Sequence, residues 1–333
     1  MKRMHLQGVF AVGGRVIALI AIAGLLGSAA PPLSYVDLAT PFEHVATATV
    51  GKPEATRIAA IRGELDALLP GVYPPGAHTD RLIAKALAGF PARQMDYDRA
   101  VRNFPTALKS AVAHFRTVFP GFTSPLPIFL YHSLGQRDGG SAYLDPGRRH
   151  VMLFGADLIA KYHADDSLQP FLDHELFHLE HAHAFVGCDQ FWCPLWQEGL
   201  AVDAAAAMTP GATDHQLLLD IPTKIRAPTN ARWTEALCFV STHFDDTSDA
   251  VIGQALMGGG KPPSGLPDRF GYYVGYRLAQ ATGQTVPSLA RLDYQAARPL
   301  LRAALVRLMK EAGADCSPPP LDAAITQRSP RGA

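Results

Sequence analysis

The sequence predicts an α+β fold that is mostly helical, with one small sheet between a helical N-terminal and a helical C-terminal portion. Two patterns carry this. Apolar residues recur at three- and four-residue steps on both sides of the chain's middle, which is the period of an amphipathic helix. Between them, short apolar runs alternate with glycine and proline turn signals, as the strands of a small sheet do. A length of 333 residues suits one large domain or two intimate subdomains.

Residues 1–30 read as an export signal and are set apart from the fold. Lys2 and Arg3 supply a positive start, Val16 to Leu26 an apolar run, and Ser28-Ala29-Ala30 small residues for cleavage after residue 29 or 30. An N-terminal membrane anchor is the alternative, but Arg15 cuts the apolar run below the roughly 20 residues that a span requires. The mature chain is therefore expected in the periplasm or outside the cell, without insertion into a membrane.

Residues 31–122 form a helical N-terminal subdomain in this reading. Ile58, Ile61, Leu65 and Leu68 keep helical spacing within residues 53–69, as do Leu82, Ala86 and Phe90 within residues 79–119. Residues 123–317 begin at Pro125-Leu126-Pro127 and carry the sheet, with strands at 128–131 and 151–154 and turn signals at Gly139-Gly140 and Asp145-Pro146-Gly147. A helix follows from Gln169 or Pro170 to about Phe185, with Ser167 as its cap and Asp165 and Asp166 near its positive end. Pro194 opens a helix to Met208, and helical patterns recur at 233–243, 268–281 and 297–311. The tail, 318–333, starts with three prolines and is expected to be disordered.

Lysine plus arginine equals aspartate plus glutamate at 30 each, so no basic stripe points to nucleic acid or to an anionic membrane surface. The four cysteines, Cys188, Cys193, Cys238 and Cys316, are an even number in a chain expected to meet an oxidising compartment. Three pairings are possible. Cys188 with Cys193 and Cys238 with Cys316 is favoured because the first pair closes a short loop, whereas the spacing fits no cysteine zinc site.

The segment His174-Glu175-Leu176-Phe177-His178 lies inside a stretch already read as helical. Side chains four apart on a helix sit one above the other at about 6 Å, so two imidazoles can grip one tetrahedral zinc while Glu175 turns toward a metal-bound water. A third ligand must leave the fourth position open. A third histidine six residues after His178 is ruled out, because that position is Ala184. A glutamate on a following helix is the other arrangement, and Leu195-Trp196-Gln197-Glu198-Gly199-Leu200-Ala201 supplies Glu198, 20 residues on.

With these residues the chain resembles the gluzincins, the thermolysin-like and aminopeptidase-like zinc peptidases, and among them the predicted zinc-dependent proteases of bacteria. The resemblance spans roughly residues 125–280 and implies a zincin-like region with zinc held by His174, His178 and Glu198, Glu175 as general base, and a peptide or protein as substrate. It also implies an oxyanion donor from a later helix. Phe270-Gly271-Tyr272-Tyr273-Val274-Gly275-Tyr276-Arg277 is the place to look, with Tyr276 first and Tyr272 second, and the segment 141–154 would offer an edge strand to an extended substrate. His181 and His183 could compete for metal but are read as solvated or supporting side chains. Asp173 and Asp203 are candidates to orient the imidazoles, and Trp192 and Trp196 to pack beneath the zinc helix. Two other functions stay open at this point: a zinc hydrolase of a non-protein amide, and a non-catalytic envelope protein in which zinc staples two helices.

Overall fold

A sheet of four strands organises the described residues. The structure, a computed structural model, describes residues 33–144, 149–164, 166–258 and 265–316. The export signal, Asp165, the Asp145-Pro146-Gly147 turn and the tail from 318 lie outside these residues. Strands β1 (Tyr35–Asp37), β2 (Ile128–Tyr131), β3 (Ser141–Leu144) and β4 (Arg149–Gly155) are ordered β1-β2-β4-β3. The first three in that order run parallel, and β3 is antiparallel to β4, with Tyr143 opposite His150.

Every residue of Ile-Phe-Leu-Tyr in β2 is buried, as expected of a central parallel strand covered on both faces. The strand β1 is a correction to the helical reading of residues 31–122. Three residues are too few to show a period of two, and their extended form comes from pairing with β2, more than 90 positions away. Residues from both sides of the expected boundary at 122 therefore share one sheet and one compact unit.

Four helices fill the N-terminal part: α1 (Ala39–Ala48), α2 (Glu54–Leu68), α3 (Ala77–Gly89) and α4 (Gln94–Val118). The stretch read as one helical pattern over 79–119 is divided here. Pro91 lacks the N–H that would continue the ladder, and α3 ends ahead of it although Phe90 itself keeps helical φ and ψ. The apolar face of α4, with Phe104, Leu108, Ala111 and Phe115 buried, packs against the two helices that follow the sheet.

Those helices are α5 (Ala156–Tyr162), which leaves β4 directly, and α6 (Gln169–His181). The C-terminal part consists of α7 (Trp192–Met208), α8 (Arg226–Ala231), α9 (Trp233–His243), α10 (Asp249–Ile252) running into a π-helical turn, α11 (Phe270–Ala281), α12 (Val286–Leu289) and α13 (Tyr294–Ala312). Disulfides join Cys188 to Cys193 in the first turn of α7, and Cys238 on α9 to Cys316 beyond α13, the pairing favoured from spacing.

The pair that positions the site is α7 and α11. An added Cβ on Gly199 would collide with the backbone of Gly275, and one on Gly275 with the backbone of α7. Only glycine at both positions lets the two helix backbones touch. Glu198 and Tyr272 are thereby brought to the same place from different helices.

Candidate metal centre

Helix α6 has Leu168, in helical geometry and with no capping side chain, in the N-cap place expected of Ser167. The Ser167 hydroxyl oxygen accepts from the Gln169 N–H at 3.2 Å, and Pro170 occupies the first turn, where its missing N–H costs nothing. The α-helix ends at His181, short of Phe185, because the chain tightens into three-residue bonds from His183 to Glu180 and from Ala184 to His181. Ten of its 13 residues are buried, His174 and Glu175 among them.

His174 and His178, four residues apart, bring their Nε2 atoms to 3.1 Å from one another. Glu198 enters from α7, its Oε2 3.4 Å from each of these nitrogens. These three edges can be set against a tetrahedral zinc site. Bonds of about 2.0–2.1 Å at the tetrahedral angle give ligand-to-ligand edges of about 3.3–3.4 Å, so the donor triangle already has the size such an ion needs. The same three residues are the only group of convergent metal-ligating side chains among the described residues.

Electrostatics couple the three donors: burial alone would lower the His178 pKa, but the Glu198 and Glu175 carboxylates raise it to about 9, so that ring must give up a proton to become a ligand. Burial alone would raise the Glu198 pKa, but the charge of His178 and hydrogen bonds from both imidazoles hold it well below the ordinary carboxylate value. Burial lowers the His174 pKa, keeping that ring neutral, as a metal ligand must be.

Glu175 occupies a different environment. It is 5% exposed, its Oε2 has no hydrogen-bond partner, and burial pushes its pKa up to about 8. The loop from β2 to β3 covers it so closely that a Cβ on Gly139 would lie 2.5 Å from Glu175 Cδ and 2.6 Å from its Oε1. Asp138, next to Gly139, faces the buried His163 at 3.7 Å, and its backbone carbonyl accepts the Gly155 N–H, which ties this loop to the end of β4.

The two tyrosines separate. Tyr272 stacks on His174 with centroids 6.3 Å apart, and Glu198 and Arg269 both act on its hydroxyl. Tyr276 lies one turn further along α11 in a second apolar cluster, where its hydroxyl accepts from Gln280 Nε2 at 2.9 Å and its ring faces the Arg226 guanidinium. Tyr272 therefore takes the place that sequence reasoning gave first to Tyr276, because the Gly199 and Gly275 contact fixes which turn of α11 faces α6.

Arg269 is a residue that the sequence reading missed. It sits at the N-cap of α11 with φ of 60°, its guanidinium carbon 4.1 Å from the Tyr272 ring centre and its Nη1 donating to the Ile221 carbonyl at 2.8 Å. A left-handed arginine is uncommon. The nearest signal was its position immediately before the tyrosine helix.

The other candidates sit elsewhere. Asp173 turns to His114 and Gln169, at 3.2 and 2.8 Å, and Asp203 lies near Tyr276, so neither orients the imidazole of His174 or His178. His181 is buried between Phe177 and Phe185, and His183 is exposed, so neither joins the ligand group. Trp192 and Trp196 are fully buried, the packing role expected of them.

Comparison with known proteins found no matching family model, curated protein or solved structure.

Proposed function

We propose that this chain is a zinc-dependent hydrolase of gluzincin type, acting after export on amide bonds of peptides. One observation carries the reading: a buried carboxylate without a hydrogen-bond partner, Glu175 Oε2, adjoins a His, His, Glu triangle of tetrahedral dimensions. A site that only stapled α6 to α7 would gain nothing from burying that carboxylate.

His174, His178 and Glu198 would hold the ion, which when bound supplies Lewis acidity toward a carbonyl oxygen and acidifies water. Glu175 takes the proton from the attacking water at its unpartnered oxygen and returns it to the leaving amine. Burial makes the ionised Glu175 a stronger base than an exposed carboxylate, and the protonated form a usable acid near neutral pH. The Tyr272 hydroxyl, held between Glu198 and the Arg269 guanidinium, donates to the carbonyl oxygen as negative charge develops there. Strand β3 lies at the sheet's edge and leads out of the loop over Glu175, the place for an extended substrate to align.

The test is mass-spectrometric cleavage of a diverse peptide pool by the mature protein as purified, after chelation, and after zinc is restored. The reading expects specific cuts that disappear on chelation and return with zinc. Cuts that survive thorough chelation, or zinc-loaded protein that cuts no member of the pool, would count against it.

A further inference from the structure

On the N-terminal side of the sheet, away from the metal centre, a cavity of about 350 Å³ opens at the carboxyl ends of β2 and β4. Its walls come from α3, α5, the start of α4 and the loop after β2. Crevices at the carboxyl ends of parallel strands are recurrent ligand sites, but position alone decides nothing.

The chemistry of the lining is specific. His132 is 6% exposed and stacks on Phe42 with centroids 4.0 Å apart. Its Nδ1 accepts the Leu134 N–H at 3.1 Å, so the ring's proton must reside on Nε2. Among the described residues no acceptor meets Nε2, although the side chain lines the cavity. Burial lowers the His132 pKa and keeps the imidazole neutral, outweighing the Asp157 carboxylate, which lies 3.6 Å from Nδ1 and acts in the opposite direction.

Three cations, Lys85, Arg93 and Lys161, stand around the same space. Lys85 and Arg93 make no ion pair among the described residues, and Lys161 Nζ rests on the Tyr162 hydroxyl at 2.8 Å. Asp157, the single acid of the lining, offsets only one of them and leaves the lining net positive. Its carboxylate is already engaged by the Ser133 N–H at 2.6 Å, the Ser133 hydroxyl at 3.0 Å and the Gly135 N–H at 2.8 Å. Phe90 and Tyr97 add aromatic surface beside the donor.

From the Nε2 donor that no protein acceptor meets, the net positive charge and the aromatic wall, we infer that this cavity binds a small organic anion. Its carboxylate or phosphate head lies between His132 and Arg93, and its apolar body lies against Phe90 and Tyr97. The site is independent of the metal centre.

Isothermal titration of the mature protein, with and without chelation, tests this with 3-phenylpropionate and phenyl phosphate, and with neutral 3-phenylpropanamide as control. At least one anion should bind with a Kd of about 0.1–1 mM, the range open to a ligand of this size. The amide should bind at least tenfold more weakly, and chelation should change nothing. The double variant Lys85→Gln, Arg93→Gln, at two exposed positions, should weaken the anion at least tenfold with an unchanged melting temperature. His132→Phe, which keeps the ring and removes the donor, should weaken it similarly. Binding that the double variant leaves intact, equal binding of the amide, loss on chelation, or no binding of either anion would each overturn the inference.

Discussion

Replacing Gly139 with alanine puts one methyl group against the carboxyl of Glu175, its three nearest atoms all belonging to that side chain, which makes it a sharp probe of how the candidate base is held. The added carbon would stand 2.5 Å from Glu175 Cδ, 2.6 Å from Oε1 and 2.8 Å from Cγ, where ordinary contact requires about 3.5 Å, so the carboxyl must retreat by about 1 Å. A displacement of that size at a reacting group costs about 10²-fold in rate. Stability should hardly change. The atoms that give way are the end of a side chain, Gly139 is not among the residues with positive φ, and alanine also restricts the unfolded chain, so the net effect should stay within about 1 kcal/mol. Zinc content should not change either, since the three ligands come from α6 and α7. The assay is turnover of the best-cleaved peptide by wild type, Gly139→Ala and Glu175→Gln, with melting temperature and bound zinc measured on the same samples. Full activity in Gly139→Ala beside an inactive Glu175→Gln would refute the contact, and zinc lost from Gly139→Ala would refute the separation of base from ligands.

Gly199→Ala should act oppositely: the new Cβ meets the backbone of Gly275, so despite alanine's better helix propensity it should cost about 1–3 kcal/mol, lower the melting temperature by several degrees and weaken zinc binding in chelator competition by displacing Glu198. His178→Ala should abolish stoichiometric zinc by mass spectrometry, because two remaining donors cannot complete the site. The disulfide between Cys238 and Cys316 spans 78 residues, so Cys238→Ser with Cys316→Ser should cost about 4–5 kcal/mol by chain-entropy arithmetic, read from denaturant unfolding. Burial lowers the His132 pKa below its ordinary 6.5, so the native state binds fewer protons there than the unfolded chain. Its contribution is intact above about pH 6.5 and is lost as pH falls toward the folded value. His132→Phe should flatten that part of the stability profile in thermal melts.

What could be read from the sequence follows the range over which each feature is determined. His174, Glu175 and His178 are set by one helix's geometry, and Glu198 by a short motif on the next, so their meeting was legible. Strands at β2 and β4 announced themselves as apolar runs between turn signals. The three residues of β1 carried no such signal, because their conformation is imposed by a distant partner. The break between α3 and α4 was marked by Pro91, but the apolar period continues across it and hides the stop. Which tyrosine faces His174 depends on the rotation of α11 about its axis, and that rotation is fixed by Gly199 and Gly275 meeting across two helices. The contact of Gly139 with Glu175, and the placement of Arg269 over Tyr272, likewise arise only when segments far apart in the chain fold together.

The most direct test of the central claim is the rate of peptide cleavage by Glu175→Gln relative to wild type, with zinc measured in both. Removing only the ionisable oxygen from a position that makes no bond to the ion should lower the rate by several powers of ten at unchanged zinc stoichiometry. Wild-type cleavage by a zinc-loaded Glu175→Gln protein would contradict the account, because the buried carboxylate on which it rests would then have no part in the chemistry.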